Sequence, residues 1–154
     1  MEILEPILKQ HPFFKDLKSE YIDFIVGCSA NEVFKAGEII LVEDQPADKF
    51  YLIRSGKVAI YIANPQEIII QTIQKGDILG FSWLIPPYRY RFSAKAVEST
   101  AAIALDGKCL REKCEKNAEL GYQLLKRLVD VLSERLEAAR LQLLDIYNVG
   151  ADNK

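Results

Sequence analysis

Short apolar segments separated by turn residues fill the middle of this chain, and they restrict its fold more than any other feature. The segments at residues 50–53, 57–62 and 67–73 are rich in Val, Ile and Tyr, which favour β-strands. The residues that separate such segments are Gly37, Gly56, Gly76, Gly80 and the Asn64-Pro65-Gln66 turn. Short strands at a spacing of roughly ten residues predict a small, jelly-roll-like antiparallel β-barrel over residues 30–105.

The hydrophobic period changes to that of a helix after residue 106. Residues 117–147 contain no proline and only Gly121 to weaken a long helix. Apolar residues of this segment occupy two heptad positions over about four heptads. One position holds Tyr122, Val129, Leu136 and Leu143, and the other holds Leu125, Leu132, Ala139 and Ile146. We call these eight residues the seam; they predict a long C-terminal dimerisation helix and therefore a homodimer.

A second apolar stripe, formed by Leu124, Leu128 and Val131, lies beside the seam in the first half of the helix. One stripe can pack on the protein's own barrel while the other meets a second copy, or both stripes can pack internally. A small barrel cannot cover a helix of about 30 residues, which is roughly 45 Å long. The length of the helix therefore favours the dimer.

The whole chain of 154 residues has the size of one domain. Residues 1–29 have the apolar spacing of helices, so the expected order is helical, then strand-rich, then helical. We expect a single domain over residues 1–154, with N-terminal helices at 1–29, a β-barrel at 30–105, C-terminal helices at 106–147 and a tail at 148–154.

Charge and hydropathy exclude several function classes. The 20 basic and 22 acidic side chains give a net charge of -2, which offers no electrostatic reason to expect direct nucleic-acid binding. The N-terminus has no basic region followed by a long apolar run, and no 18-residue apolar stretch occurs. We therefore expect a cytoplasmic protein without a membrane partner.

The cysteines and the single histidine bear on redox and metal chemistry. Cys28, Cys109 and Cys114 form an odd and sparse set, which predicts thiols in a reducing compartment and not a disulfide framework. With His11 as its one histidine, the chain lacks ligands for zinc or for a cupin-type metal enzyme. We expect no metal site, no catalytic residues and no enzymatic activity.

Three segments together resemble the cyclic nucleotide-binding domain family. They are VFKAGEIILVEDQPADKFYLIRSGKVAIYI, QKGDILG and SAKAVEST, and the resemblance covers nearly the whole chain. It implies an eight-stranded jelly-roll-like barrel flanked by helices, with a ligand pocket inside the barrel. It also implies a long C-terminal helix of the kind that dimerises in the catabolite activator proteins.

The resemblance also implies where a cyclic nucleotide would bind. In the family, a short helix after a Gly-Glu pair presents backbone N–H groups to the cyclic phosphate, an arginine neutralises the phosphate, and the glutamate accepts from the ribose hydroxyl. Gly80 matches the family's glycine, but Phe81 stands at the place of the glutamate and Tyr90 at that of the arginine. The candidate pocket residues are Leu79, Gly80, Phe81, Ser82, Trp83, Leu84, Arg89, Tyr90, Arg91 and Ser93.

Two interpretations of this segment remain open. In a strand, Tyr88, Tyr90 and Phe92 point one way and Arg89 and Arg91 the other, so the aromatic residues fill or wall the barrel while the arginines are solvated. Alternatively, a one-residue bulge near Pro87 turns an arginine inward, and an anionic ligand binds the N–H groups of residues 81–84. Loss of the glutamate alone removes roughly 1.5 to 3 kcal/mol, so tight binding of cyclic AMP in the family's mode is not expected.

Two functional hypotheses follow. The first is a homodimeric regulatory or sensor domain of the cyclic nucleotide-binding type with a degenerate phosphate-binding cassette. It requires no cofactor, and its ligand is a cyclic nucleotide or another small anion. The seven residues after Tyr147 cannot supply a helix-turn-helix domain, so any effect on transcription is expected to require a downstream protein partner. The alternative is a ligand-free protein-interaction scaffold with an aromatic-filled barrel.

Overall fold

The computed structural model describes residues 4–152, with side chains as far as residue 148, and within that range the chain forms four α-helices, eight strands and two 3₁₀ turns. The helices are α1 (Leu4–Gln10), α2 (Ser19–Val26), α3 (Gly107–Lys116) and α4 (Ala118–Asp152). The strands are β1 (Ser29–Phe34), β2 (Ile39–Leu41), β3 (Lys49–Ser55), β4 (Lys57–Ile62), β5 (Ile68–Gln74), β6 (Ile78–Leu79), β7 (Ser93–Ala96) and β8 (Thr100–Asp106). The 3₁₀ turns are Pro12–Phe14 and Phe81–Leu84. The predicted order of helices, strands and helices is confirmed.

The strands form two four-stranded sheets that face each other. Their strand orders are β1-β8-β3-β6 and β2-β7-β4-β5, and every pairing is antiparallel. Among the described residues no ladder joins the two sheets into a closed barrel. The predicted jelly-roll-like β fold is therefore confirmed, in the form of an open roll.

Strand β3 divides the core into two parts, because alternate side chains of a strand point to opposite faces of the sheet. Phe50 and Leu52 face the helices, in what we call the helix-side core, which also includes Leu8, Ile22, Trp83, Ile103 and Leu124. Tyr51 and Ile53 face the second sheet, in what we call the roll core, which also includes Leu41, Val58, Ile60, Leu79 and Tyr90. The helices therefore pack on one face of the sheet that contains β3, and the second sheet packs on its other face.

The corners of the roll depend on residues that accept a left-handed backbone. The four glycines at the predicted corners all have positive φ, and so does Asp44, at 68°. Aspartate tolerates this conformation better than most residues do. At Gly56 the space for a side chain is restricted as well, since a Cβ there would lie 2.5 Å from the Ser99 carbonyl oxygen.

Asn117 separates the two C-terminal helices. It ends α3, and its side-chain oxygen accepts a hydrogen bond from the Leu120 N–H at 3.1 Å, which caps the start of α4. Helix α4 then continues to Asp152. Residues 148–152, expected in a tail, are therefore helical, and the last two residues of that expected tail lie outside the described residues.

The first half of α4 packs on the body of the protein. Leu124 and Leu128 are buried in the helix-side core, and Val131 packs against it. Two arginines bind α4 to the body: Arg127 donates to the Lys15 carbonyl at 2.8 Å, and Arg135 donates to the Ile78 carbonyl at 2.6 Å. The second stripe therefore packs internally, which both sequence-based alternatives for the helix allow.

The prediction of free thiols is wrong for two of the three cysteines. Cys28 and Cys109 form a disulfide with their Cα atoms 5.7 Å apart, whereas Cys114 is free. Cys28 directly precedes β1 and Cys109 follows β8, and these strands pair with Ser29 opposite Leu105. The two cysteines are 81 residues apart, so their proximity depends on this tertiary pairing and not on local spacing.

Candidate functional site

The segment in which the sequence resemblance predicts a phosphate-binding cassette includes Gly80. This glycine has φ 85° and directly precedes the 3₁₀ turn Phe81–Leu84. A Cβ on residue 80 would lie 3.1 Å from the Lys49 carbonyl oxygen and 3.2 Å from Cε1 of Tyr90. The Tyr90 ring therefore lies directly against the glycine of the cassette, which leaves little space there.

Tyr90 is buried in the roll core and fixed by its hydroxyl group. The hydroxyl donates to the Lys49 carbonyl at 2.7 Å and accepts from the Lys49 N–H at 3.1 Å. Burial raises the pKa of Tyr90 to about 12, so the phenol is neutral at physiological pH. The residue at the arginine position is thus a neutral part of the core, with its donor and acceptor capacity used by β3.

Arg89 and Arg91 are exposed, as the aromatic-lined interpretation predicts. Arg89 donates to the Asp44 carbonyl at 2.6 Å. The reason given for this orientation, side-chain alternation along a strand, is wrong, because residues 85–92 form turns and one isolated bridge, and β7 begins at Ser93. Tyr88, with φ 59°, is itself 36% exposed and does not enter the roll.

The remaining candidate pocket residues are distributed over both cores. Leu79 belongs to the roll core, and Leu84 packs against the helix-side core. Ser82 is buried. Ser93 is buried too, and its hydroxyl accepts a hydrogen bond from the Glu43 N–H at 3.0 Å. None of these four side chains brings a charge to the cassette.

Trp83 lies on the helix side of the sheet and not inside the roll. It is fully buried in the helix-side core, with its ring centroid 5.7 Å from that of Phe50. Its indole Nε1 has no hydrogen-bond partner among the described residues. Its carbonyl accepts a hydrogen bond from Arg111 at 2.5 Å. Trp83 therefore anchors the 3₁₀ turn to the helices, and does not fill the barrel as the scaffold hypothesis expects.

A cavity of about 300 Å³ lies between the 3₁₀ turn, the second sheet and α4. Its apolar wall includes Phe81, Phe92, Ile60, Ile70, Leu132 and Leu136. The Phe81 and Phe92 rings are neighbours, with centroids 6.1 Å apart. The polar side chains that line the cavity are Gln71, Arg135 and Gln142. A pocket with aromatic walls and a few polar groups is suited to a planar, partly apolar ligand.

Arg135 is the cation of this cavity. Besides its bond to the Ile78 carbonyl, it lies beside Asp77, and both residues also line a neighbouring cavity of about 330 Å³. Burial lowers the pKa of the Arg135 guanidinium, and the charge of Asp77 raises it. The cavity thus has one positive charge at its edge, close to a carboxylate.

The seam of α4 is largely exposed in the single chain. Tyr122, Leu125, Val129, Leu136, Leu143 and Ile146 are each between 50% and 67% exposed. Leu132 and Ala139, expected in the same seam, line the cavity beside the second sheet. The seam is therefore not an isolated stripe: in the middle of α4 it borders the cavity.

Sequence reasoning missed the cavity between the second sheet and α4. Ile60, Ile70 and Gln71 follow an ordinary strand pattern, so nothing in their spacing indicates a cavity. Arg135 gives no signal either, because charged residues beside an apolar heptad seam are common, and its contact with the β6 backbone depends on the fold.

A comparison with known families agrees with this architecture. The sequence model of the cyclic nucleotide-binding domain matches residues 31–117, which is more than half of the chain. The chain belongs to the cyclic nucleotide-binding domain family. The matched residues include the segment for which the sequence resemblance predicts a phosphate-binding cassette.

Individual relatives of the family show how far the likeness extends. The chain is 29% identical over 115 residues to a CRP-like cAMP-activated global transcriptional regulator of Mycobacterium tuberculosis, a match that covers 73% of this chain and 50% of the regulator. The chain thus spans about half the length of the mycobacterial regulators it matches. A protein of Geobacter metallireducens GS-15, described as cyclic nucleotide-binding, has a solved structure that matches with a TM-score of 0.81 and 30% identity, over 88% of this chain and 99% of that one.

A second solved structure supports the fold alone. It is a cyclic nucleotide-binding domain from Methylobacillus flagellatus KT, with a TM-score of 0.79 and 20% identity, and the match covers 92% of this chain and 85% of that one. In the described part of the chain, no group of three or more His, Cys, Asp or Glu side chains could hold a metal ion. None of the described helices is long and apolar enough to span a membrane.

Proposed function

We propose that this chain is a homodimeric regulatory or sensor domain of the cyclic nucleotide-binding family with an altered cassette. It is not an enzyme and needs no cofactor. It acts in the cytoplasm, and it transmits its state to a downstream protein partner. With a net charge of -2, it is not expected to bind nucleic acid directly.

The observation that carries this proposal is the position of Tyr90. The resemblance implies an arginine there to neutralise the cyclic phosphate, and Tyr90 instead presents a neutral, buried ring whose hydroxyl is bound to Lys49. Phe81 likewise replaces the glutamate that accepts from the ribose. A cyclic nucleotide bound in the family's mode therefore loses both polar contacts, at roughly 1.5 to 3 kcal/mol each.

The cavity beside α4 gives the domain its remaining binding capacity. Phe81 and Phe92 can stack on a planar group, and the seam residues Leu132 and Leu136 close the opposite wall. Arg135 supplies the positive charge for a small anion. The ligand that fits is aromatic or apolar, with one anionic group.

The exposed seam supports the homodimer. Apolar side chains at two heptad positions pack together in a parallel pair of helices, whereas in the single chain at least half of the surface of Leu143 and Ile146 faces solvent. The first half of α4 is held by its own body, so the exposed side is the one left for a second copy.

Sedimentation equilibrium at micromolar concentration tests the dimer. We expect the wild type to be dimeric and Leu143→Glu to be monomeric, because the substitution places charges face to face in the seam. Leu141→Glu is the matched control: Leu141 is also 54% exposed but lies outside the seam, so this variant should remain dimeric. A monomeric wild type, or two variants with equal masses, would contradict the proposal.

A second function, a ligand-free scaffold, is favoured by the same Tyr90 ring, which occupies the roll core beside Gly80. Native mass spectrometry of the purified protein distinguishes the sensor from the scaffold. A sensor retains or acquires a small molecule, and Ile70→Trp, which narrows the α4 cavity from the β5 side and lies outside the seam, abolishes this binding. If the domain is a scaffold, the wild type and the variant both show the polypeptide mass alone, whichever small anion is added.

A further inference from the structure

The disulfide between Cys28 and Cys109 joins the N-terminal helices to the C-terminal helices. Cys28 follows α2 directly after Gly27, and Cys109 lies in the first turn of α3. Helix α3 leads through Asn117 into α4. The covalent bond therefore links two segments that flank the roll at opposite ends of the chain.

The backbone holds both cysteines in place without the covalent bond. The Asp106 N–H donates to the Cys28 carbonyl at 2.9 Å, which extends the pairing of β1 with β8. The Asp106 carboxylate in turn accepts from the Cys109 N–H at 2.8 Å and caps α3. Because these bonds do not involve sulfur, reduction leaves the two thiols side by side, ready to pair again.

The disulfide is also within reach of a small reagent. A cavity of about 380 Å³ is lined by both Cys28 and Cys109, together with Glu32, Asp48 and Lys49. Cys28 is buried, with 7% of its surface exposed, whereas Cys109 is half-buried and lines a second cavity on the other side, next to Phe24. A small thiol can therefore approach the Cys109 sulfur while the protein stays folded.

We propose that Cys28–Cys109 is a reversible thiol–disulfide exchange site for small thiols. The thiolate of a small dithiol attacks the Cys109 sulfur, the protein S–S bond breaks, and its electron pair goes to the Cys28 sulfur, which takes up a proton. The second thiol of the reagent then attacks its own sulfur in the mixed disulfide and releases Cys109 as a thiol. The protein gains two electrons and two protons, and the dithiol becomes a cyclic disulfide.

Two further arguments support an exchange site over a permanent crosslink. In the cytoplasm, where the proposed function places this domain, a disulfide is usually transient and redox-sensing or catalytic. Cys114, the third cysteine, is half-buried, and burial raises the pKa of its thiol to about 11. It stays protonated at neutral pH and does not compete in the exchange.

The charges around the cavity predict which thiols react fastest. Glu32, Asp48 and Asp106 line it with three carboxylates against the single ammonium of Lys49. An anionic thiol is repelled there and a cationic one attracted, and salt screens both effects. At equal thiolate concentration and low salt, cysteamine should reduce the disulfide several-fold faster than mercaptoacetate, and high salt should narrow the difference. Equal rates at low salt would contradict this approach route.

The direct test counts alkylated cysteines by mass spectrometry in the native chain of 154 residues. The protein is reduced with dithiothreitol or oxidised with oxidised glutathione, quenched, and alkylated under denaturing conditions. We expect one alkylated cysteine after oxidation, three after reduction, and one again after reoxidation. Emission from Trp83, the only tryptophan and fully buried, should stay that of the folded protein throughout.

Two variants make the assignment specific. Cys114→Ser should cycle between no adduct and two, whereas Cys28→Ser should show two adducts under both conditions. If the wild type loses its disulfide only in denaturant, the bond is a permanent crosslink and the proposal is wrong. If oxidised glutathione leaves three alkylated cysteines in the folded wild type, the two sulfur atoms do not pair and the proposal is equally wrong.

Discussion

Tyr90 is part of the core at the position where the sequence resemblance implies a phosphate-binding arginine. Its ring packs in the roll core beside Gly80, and its hydroxyl exchanges two hydrogen bonds with the backbone of Lys49. Burial raises the pKa of Tyr90 to about 12, so the unfolded chain ionises first. Its contribution to stability is therefore complete below pH 10 and is lost as the pH rises from 10 towards 12.

Removing the Tyr90 hydroxyl should destabilise the fold measurably. We expect Tyr90→Phe to lower the free energy of unfolding by about 1 to 2 kcal/mol, because both backbone groups of Lys49 lose their partner. Urea denaturation at neutral pH measures this change. Tyr88→Phe is the control, since Tyr88 is partly exposed and keeps its ring against Arg111, and it should cost less than about 0.5 kcal/mol. Equal costs for the two variants would contradict the role of the hydroxyl.

His11 is a second residue whose role is structural. It is buried, its Nδ1 accepts from the Phe13 N–H at 3.2 Å, and its Nε2 lies 3.2 Å from the Ile53 carbonyl. The neutral ring with a proton on Nε2 satisfies both contacts. Burial lowers the pKa of His11 below 6.5, against smaller opposite effects of the Ile53 carbonyl and of Asp77.

This lowered pKa makes the stability depend on pH. The unfolded chain takes up a proton near pH 6.5, before the folded chain does, so acidification through this value should destabilise the fold. Urea midpoints at about pH 7.5 and about pH 5.5 measure the effect. In His11→Asn an amide oxygen can still cap the 3₁₀ turn without titrating, so this variant should lose less stability over the same interval. A larger loss of stability in the variant than in the wild type would show that groups other than His11 dominate this pH dependence.

At the scale of the element, α4 is a helix with two differently used faces. Leu124 and Leu128 face the helix-side core, and Arg135 connects the middle of the helix to β6. After Val131 no further residue of α4 packs against that core among the described residues. The first half of α4 thus belongs to the fold of one chain, and the exposed seam is available to a second.

The two faces should differ in their effect on folding. Leu124 is 1% exposed, and Leu124→Ala should cost about 2 to 5 kcal/mol because it leaves a cavity in the helix-side core. Leu141 is 54% exposed and lies outside the seam, so Leu141→Ala should cost less than about 0.5 kcal/mol. Thermal unfolding measures both variants. Similar losses would contradict the division of the helix into an internal and an external part.

For the whole molecule, sequence patterns predict the features that depend on the local spacing of apolar residues. Alternation and turn residues identify the strands of the roll, and a heptad seam beside a second stripe identifies the long helix and its packed face. Tyr90 points inward as in the aromatic-lined interpretation, one of the two that the sequence leaves open, but its turn conformation and its bonds to Lys49 orient it, not a strand.

The features that the sequence does not predict depend on long-range contacts. Cys28 and Cys109 meet only because β1 pairs with β8, and no spacing rule connects residues 81 positions apart. Leu132 and Ala139 fit a dimer seam by their spacing, yet they line a cavity, because the fold places the middle of α4 beside Ile60 and Ile70 of the second sheet. Trp83 packs on the helix side because its 3₁₀ turn is anchored by Arg111.

The central claim is that this family member has lost the polar contacts by which its relatives' cassette is expected to hold a cyclic nucleotide. Calorimetric titration of cyclic AMP and cyclic GMP into the purified protein tests this claim most directly. Phe81 and Tyr90 each replace a charged partner, and each loss weakens binding by about one to two orders of magnitude. We predict no saturable binding at submicromolar concentration for either nucleotide. Saturable submicromolar binding of cyclic AMP would contradict the account.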